Sequence, residues 1–233
     1  MSLLDKISPF ERKDLLIAWL VLGVAFTLVT IRINGGFALI TEYQKITVEG
    51  LLITFLVALI AVGLSFVLHE LAHKFTAMKF GYWAEFRKST QMLIIAVVIA
   101  AITGIVFAAP GATMINTAGR EMTKKENGLI SVAGPLTNLV LIIPFLIIMI
   151  IGFLMSPSSG IVLFTLPGFL FYLGMIGFQV NAMLAFFNML PVGPLDGKKI
   201  LRWNPVVFGV VIAVSLGLLY LALMPTLILQ FFV

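Results

Sequence analysis

Cysteine is missing from this 233-residue chain, histidine occurs only twice, and charged residues make up only 11 % of it. The first absence excludes a disulfide framework and a thiolate metal site, so any metal must be held by imidazole, carboxylate or amide groups. The second leaves very few imidazoles for that purpose. The third excludes an ordinary soluble domain: 61 % of the residues are apolar and the mean hydropathy is +1.15, far outside the soluble range. There is also no internal repeat, low-complexity tract or long polar linker, and no room for a soluble domain of usual size.

What is present reads as an all-α polytopic membrane protein, a single integral-membrane domain over residues 1–233. Apolar stretches long enough for a bilayer core of about 30 Å cover residues 15–33, 51–80, 129–155, 161–190 and 206–233, and a sixth covers 92–109. Asp5, Lys6, Glu11, Arg12, Lys13 and Asp14 precede the first stretch, unlike the flank of a cleavable signal peptide, so the first helix is expected to be a permanent span. The pI of about 9.6 does not imply nucleic acid. The few basic residues flank apolar spans, where Lys and Arg orient the chain in the bilayer.

Charge decides how the sixth stretch is read. If all six segments cross, the 15 Lys and Arg divide almost evenly between the two sides. If residues 92–115 enter and return to the same face, only Arg32 and Lys45 lie opposite the rest. The positive-inside rule prefers the second arrangement, with five crossings, the N-terminus inside and the C-terminus outside. Pro110-Gly111 breaks a helix there, and the flanks of residues 107–115 can be extended. The fold expected is therefore five or six transmembrane helices with a short re-entrant β element near 107–115. Irregular backbone at membrane depth needs a covering of protein or a water-filled cavity.

The two histidines stand in His69-Glu70-Leu71-Ala72-His73, at the end of an uncharged run. Four residues along a helix bring side chains to nearly the same face, so both imidazoles can share one metal ion. Glu70 lies about 100° round the helix from His69, where a general base for an activated water belongs. This is zinc-peptidase chemistry. Catalytic zinc usually takes three protein ligands. Glu70, Asp196 and, with less support, Glu85 are the carboxylates near apolar spans at the right depth, where ionisable groups are rare and usually functional. Asp196 follows Asn188-Met189-Leu190-Pro191-Val192-Gly193-Pro194-Leu195, a segment that ends a helix, turns and aims a carboxylate back toward the membrane.

These motifs resemble those of the site-2 protease family of intramembrane zinc metalloproteases. Its His-Glu-x-x-His is matched by His69, Glu70 and His73, and its Asn-x-x-Pro-x-x-x-x-Asp-Gly by Asn188, Pro191, Asp196 and Gly197. Ala133-Gly134-Pro135-Leu136-Thr137-Asn138 is similar to the Gly-Pro-x-x-Asn motif of the family's third core helix. The resemblance implies one Zn2+ per chain on His69, His73 and Asp196, a catalytic Glu70, and Asn138 and Asn188 lining the active site. It further implies a transmembrane protein substrate and a multi-pass location in the cell membrane. The active site is expected toward the cytoplasmic side because the charge arrangement puts the His73 end of its span and the segment leading to Asp196 on the inner, Lys- and Arg-rich side. The stretch 92–103 departs from simpler members as an insertion, and no PDZ-like or CBS-like domain is evident.

The amides of Asn138 or Asn188 are candidates to hold the oxyanion of the tetrahedral intermediate, although polar residues in membrane helices also simply bond neighbouring helices. The element at 107–115 offers an edge to which an unwound substrate can add as a strand, or it plugs the cavity. A membrane metal transporter is the competing function, but it calls for several polar sites along a path and often a histidine-rich loop. A catalytically inactive membrane scaffold would leave Glu70 without a purpose.

Overall fold

The computed structural model describes residues 6–31, 47–104, 106, 110–157 and 160–232. Arg32 and Lys45, and residues 107–109 of the expected β element, lie outside the described residues. The elements are α1 (Pro9–Ile31), α2 (Val48–Val62), α3 (Leu68–Lys79), β1 (Trp83–Lys88), α4 (Thr90–Thr103), β2 (Gly111–Asn116), α5 (Lys124–Leu154), α6 (Leu166–Asn188), α7 (Asp196–Trp203), α8 (Pro205–Leu223) and α9 (Thr226–Leu229). A π-helical turn, Gly63–Val67, joins α2 to α3, making one helix of 32 residues.

This is an all-α polytopic chain with a short β element. Among the described residues, five helices are long and apolar enough to cross a membrane: α1, the α2–α3 composite, α5, α6 and α8. The sixth apolar stretch forms α4, with 14 residues. At 1.5 Å per residue it reaches about 21 Å, short of the bilayer core. Its end is set by Gly104, whose φ of 73° places it in the left-handed conformation that stops helices.

Hydrophobic runs locate the helices but not their ends. α5 begins at Lys124 rather than near 129, because Thr123 and Glu126 close a capping box on its first turn, and capping does not depend on apolarity. The C-terminal stretch 206–233 is split after Leu223, where Met224 leaves helical geometry and Pro225 leads into α9.

The β element is half of a two-stranded antiparallel sheet. β2 pairs with β1 in a register that sets Phe86 opposite Thr113 and Lys88 opposite Gly111. β1 was not among the expected elements: Trp83-Ala84-Glu85-Phe86-Arg87-Lys88 is short and mixes charge with aromatics, so it lacks the alternation that marks a strand. Side chains just before and within the first turns of α1 hold it. Glu11 accepts the Phe86 N–H at 3.0 Å, Asp14 accepts the Lys88 N–H at 3.3 Å, and the Ser8 hydroxyl donates to Glu85.

α5 and α6 pack closely through small residues. A Cβ at Gly152, Gly174 or Gly177 would meet Phe171, Met149 or Phe145 on the facing helix. Backbones approach in this way where helices associate without a hydrophobic driving force. Apolar residues such as Val206, Val210 and Val214 of α8 are exposed, as expected where the surrounding solvent is lipid.

Candidate metal centre

The π turn stands immediately before the histidine pair, and such turns inside α-helices gather at functional sites. Carbonyls beside the irregular stretch have partners from other helices: Trp19 Nε1 donates to Leu59 O at 2.7 Å and Asn138 Nδ2 to Ser65 O at 3.1 Å. Gly63 leaves space for the Trp19 indole, which a Cβ would overlap. Beyond it, His69 and His73 lie on one face of α3, both buried, with ring centroids 4.7 Å apart.

Asp196 reaches them from a chain reversal. α6 stops at Asn188, Gly193 adopts a φ of 53°, and α7 starts at Asp196. Gly197 allows the start of α7 to lie against the end of α6, since a Cβ there would overlap the Met189 carbonyl. Asp196 Oδ2 is thereby placed 3.1 Å from His73 Nε2 and 3.7 Å from His69 Nε2, while the two Nε2 atoms are 3.0 Å apart. Burial works against its charge, but His73 and His69 outweigh it and hold the carboxyl well below the usual carboxylate range.

The remaining ring nitrogens fix the tautomers. His73 Nδ1 lies 2.8 Å from Ile130 O, which can only accept, so this nitrogen carries the hydrogen. His69 Nδ1 lies 2.6 Å from Asn138 Oδ1. That oxygen is identified by the other end of the amide, whose nitrogen donates to Ser65 O and to Asn181 Oδ1 at 2.9 Å. Asn181 in turn donates to Ser65 Oγ and Gly177 O. In the neutral rings both Nε2 lone pairs then face each other and a carboxylate oxygen. A bound cation satisfies that convergence, as do protons shared among the three groups.

The triangle fits a metal ion. Tetrahedral zinc with ligands at about 2.0–2.2 Å separates them by about 3.3–3.6 Å, and the three edges here run from 3.0 to 3.7 Å. Among the described residues, His69, His73 and Asp196 form the group of His and carboxylate side chains able to share an ion. Gly134 lies against this point, because a Cβ on it would strike the Nε2 atoms of both histidines.

Glu70 is buried on the adjoining face of α3 and accepts a hydrogen bond from Thr113 Oγ1 at 2.9 Å. Both line a cleft shared with the histidines, Asn188 and Lys199. A neighbouring apolar groove between α1 and α6, lined by Leu22, Phe26, Met183 and Phe187, shares Phe66 and Pro110 with that cleft.

The structure thus gathers His69, Glu70, His73, Asp196 and Asn188 around one cleft. It does not bring in Glu85, which is engaged by Ser8 and Arg87. Asn138 is close to the site but does not line the cleft: it is fully buried behind His69, with its oxygen on the ring and both amide hydrogens donated. Asn188 gives one amide hydrogen to Leu184 O in its own helix. Sequence reasoning missed Thr113, Asn181 and the Ile130 carbonyl. Asn181 carries a signal, a polar residue seven before Asn188 in an apolar helix; a backbone carbonyl carries none.

A protein of Methanocaldococcus jannaschii that bears the provisional name of zinc metalloprotease is 41 % identical over 160 residues, covering 69 % of this chain and 76 % of that protein. A Bacillus subtilis protein with a provisional name of the same kind is 29 % identical over 151 residues, covering 59 % of this chain and 64 % of its own length. No family model matches the chain. No solved structure matches it.

Proposed function

The chain belongs to the zinc metalloprotease family of its archaeal relative, and from that premise we propose that it is an intramembrane zinc metalloendopeptidase of the site-2 protease type. The observation that carries this reading is the convergence of His69, His73 and Asp196 at 3.0–3.7 Å beside Glu70. These three residues hold one Zn2+ per chain. Residues 1–233 act as one integral-membrane domain in the cell membrane, with the site toward the cytoplasmic, Lys- and Arg-rich side.

A bound zinc ion supplies Lewis acidity toward the attacking water and the scissile carbonyl. Glu70 takes the proton of that water as its oxygen adds to the carbonyl carbon, and returns it to the leaving amine as the C–N bond breaks. Asn188 faces the developing oxyanion from the cleft wall. Asn138 and the Ile130 carbonyl hold the two imidazoles in the tautomer that leaves Nε2 for the metal.

The substrate is a membrane-spanning protein segment. Its peptide bonds are shielded by helical hydrogen bonds, so it must unwind locally, and extended backbone needs new partners. Among the described residues β2 pairs with β1 on one side only, and its other edge takes the added strand. The apolar groove beside the cleft accommodates the part of the segment that stays in lipid contact.

Glu70→Gln tests the reading. Incubated with a single-span substrate in detergent or liposomes, this variant is expected to keep its zinc and to lose cleavage. Cleavage at the unmutated rate would overturn the mechanism.

A further inference from the structure

The hydroxyl of Thr113 lies 2.9 Å from Glu70 Oε2 and 3.2 Å from the Glu70 carbonyl oxygen. It has one hydrogen to give, and the carboxylate is the stronger acceptor. Glu70 is a long side chain with several rotatable bonds, and fixing it carries an entropy cost that an aimed hydrogen bond offsets. The donor sits on β2, not on the helix that carries Glu70.

The register of the sheet gives this contact a second consequence. Phe86 and Lys88 direct their N–H groups to Glu11 and Asp14 on α1, away from β2. In an antiparallel pair such residues occupy non-hydrogen-bonded positions, and so do their partners. Their partners are Thr113 and Gly111. The backbone N–H and C=O of Thr113 therefore point to the outer edge of β2, while its side chain points at Glu70. One residue bears both the strand edge and the contact to the carboxylate.

We propose that Thr113 is the positioning residue for Glu70, through which the strand that receives the substrate backbone sets the aim of the general base. This rests on the protease reading above. A substrate strand paired with β2 engages the backbone of Thr113, and any shift of that residue is transmitted to the carboxylate through its hydroxyl. Docking and chemistry are joined at one residue, the first through its backbone and the second through its side chain.

The test compares T113V, which keeps the branched shape without the hydroxyl, with T113S, which keeps the hydroxyl without the methyl. Cleavage of a single-span substrate is measured with zinc content and thermal melting of each purified variant. T113V is expected to lose tenfold or more in kcat with KM within about twofold, and T113S to stay within about threefold of the unmutated kcat. Equal kcat for T113V and the unmutated protein overturns the proposal. Equal loss in T113V and T113S also does so, because the methyl would then be the important group. Should T113V not fold, T113A takes its place, since it too lacks the hydroxyl. E70Q is run in parallel: full activity there removes the protease reading, whereas an inactive E70Q beside an unimpaired T113V removes only the role of Thr113.

Discussion

Glu11, in the first turns of α1, and Lys74, one residue beyond His73, form an ion pair buried from solvent on both sides. The second oxygen of Glu11 accepts the Phe86 N–H, so one carboxylate joins three elements: α1, the histidine-bearing helix and the sheet.

Removing either partner leaves a buried charge without compensation. Glu11→Gln or Lys74→Met is expected to destabilise the protein by about 3–5 kcal/mol, and the double variant by less than the sum, as for other buried pairs. Thermal or denaturant unfolding in detergent checks this. Single variants as stable as the unmutated protein would remove the pair from the account.

Gly134→Ala places a methyl group against both Nε2 atoms. The variant is expected to fold and to bind less than a tenth of the unmutated zinc, as read by metal analysis of purified protein. Full zinc occupancy would show that the metal lies elsewhere.

Asn138→Ala removes the acceptor of the His69 ring hydrogen and the donor to Ser65 and Asn181. Zinc affinity is expected to fall about 10–100-fold, the usual effect of losing such a partner. Chelator competition measures it, and an unchanged affinity would contradict the tautomer assignment.

A photocrosslinker at Ala112 on β2, in the E70Q background, is expected to capture a single-span substrate. Failure to crosslink a substrate that the unmutated enzyme cleaves would count against strand addition.

How far the sequence revealed this arrangement depended on the physical scale of each signal. The two histidines were legible because one helical turn alone puts them on a common face. Asp196 was legible through its depth, after the turn at Gly193, and the spans through their apolar length. Charge asymmetry separated α4 from the five long helices, and the 14 residues of α4 agree with that division. Contacts set by tertiary packing were not legible. β1 has no strand pattern of its own and is defined by Glu11 and Asp14 across from it. Thr113 stood in a segment read for its backbone, and its contact with Glu70 exists only once the sheet has formed. Asn138 was expected on the cleft wall; it lies one layer behind because its oxygen meets the far nitrogen of His69.

Zinc per purified molecule decides whether His69, His73 and Asp196 together bind the metal. The unmutated protein and D196A are purified in detergent, loosely bound metal is removed, and both are measured. About one zinc is expected per unmutated chain, with its loss or sharp weakening in D196A. No zinc in the unmutated protein, or equal retention in both, would contradict it.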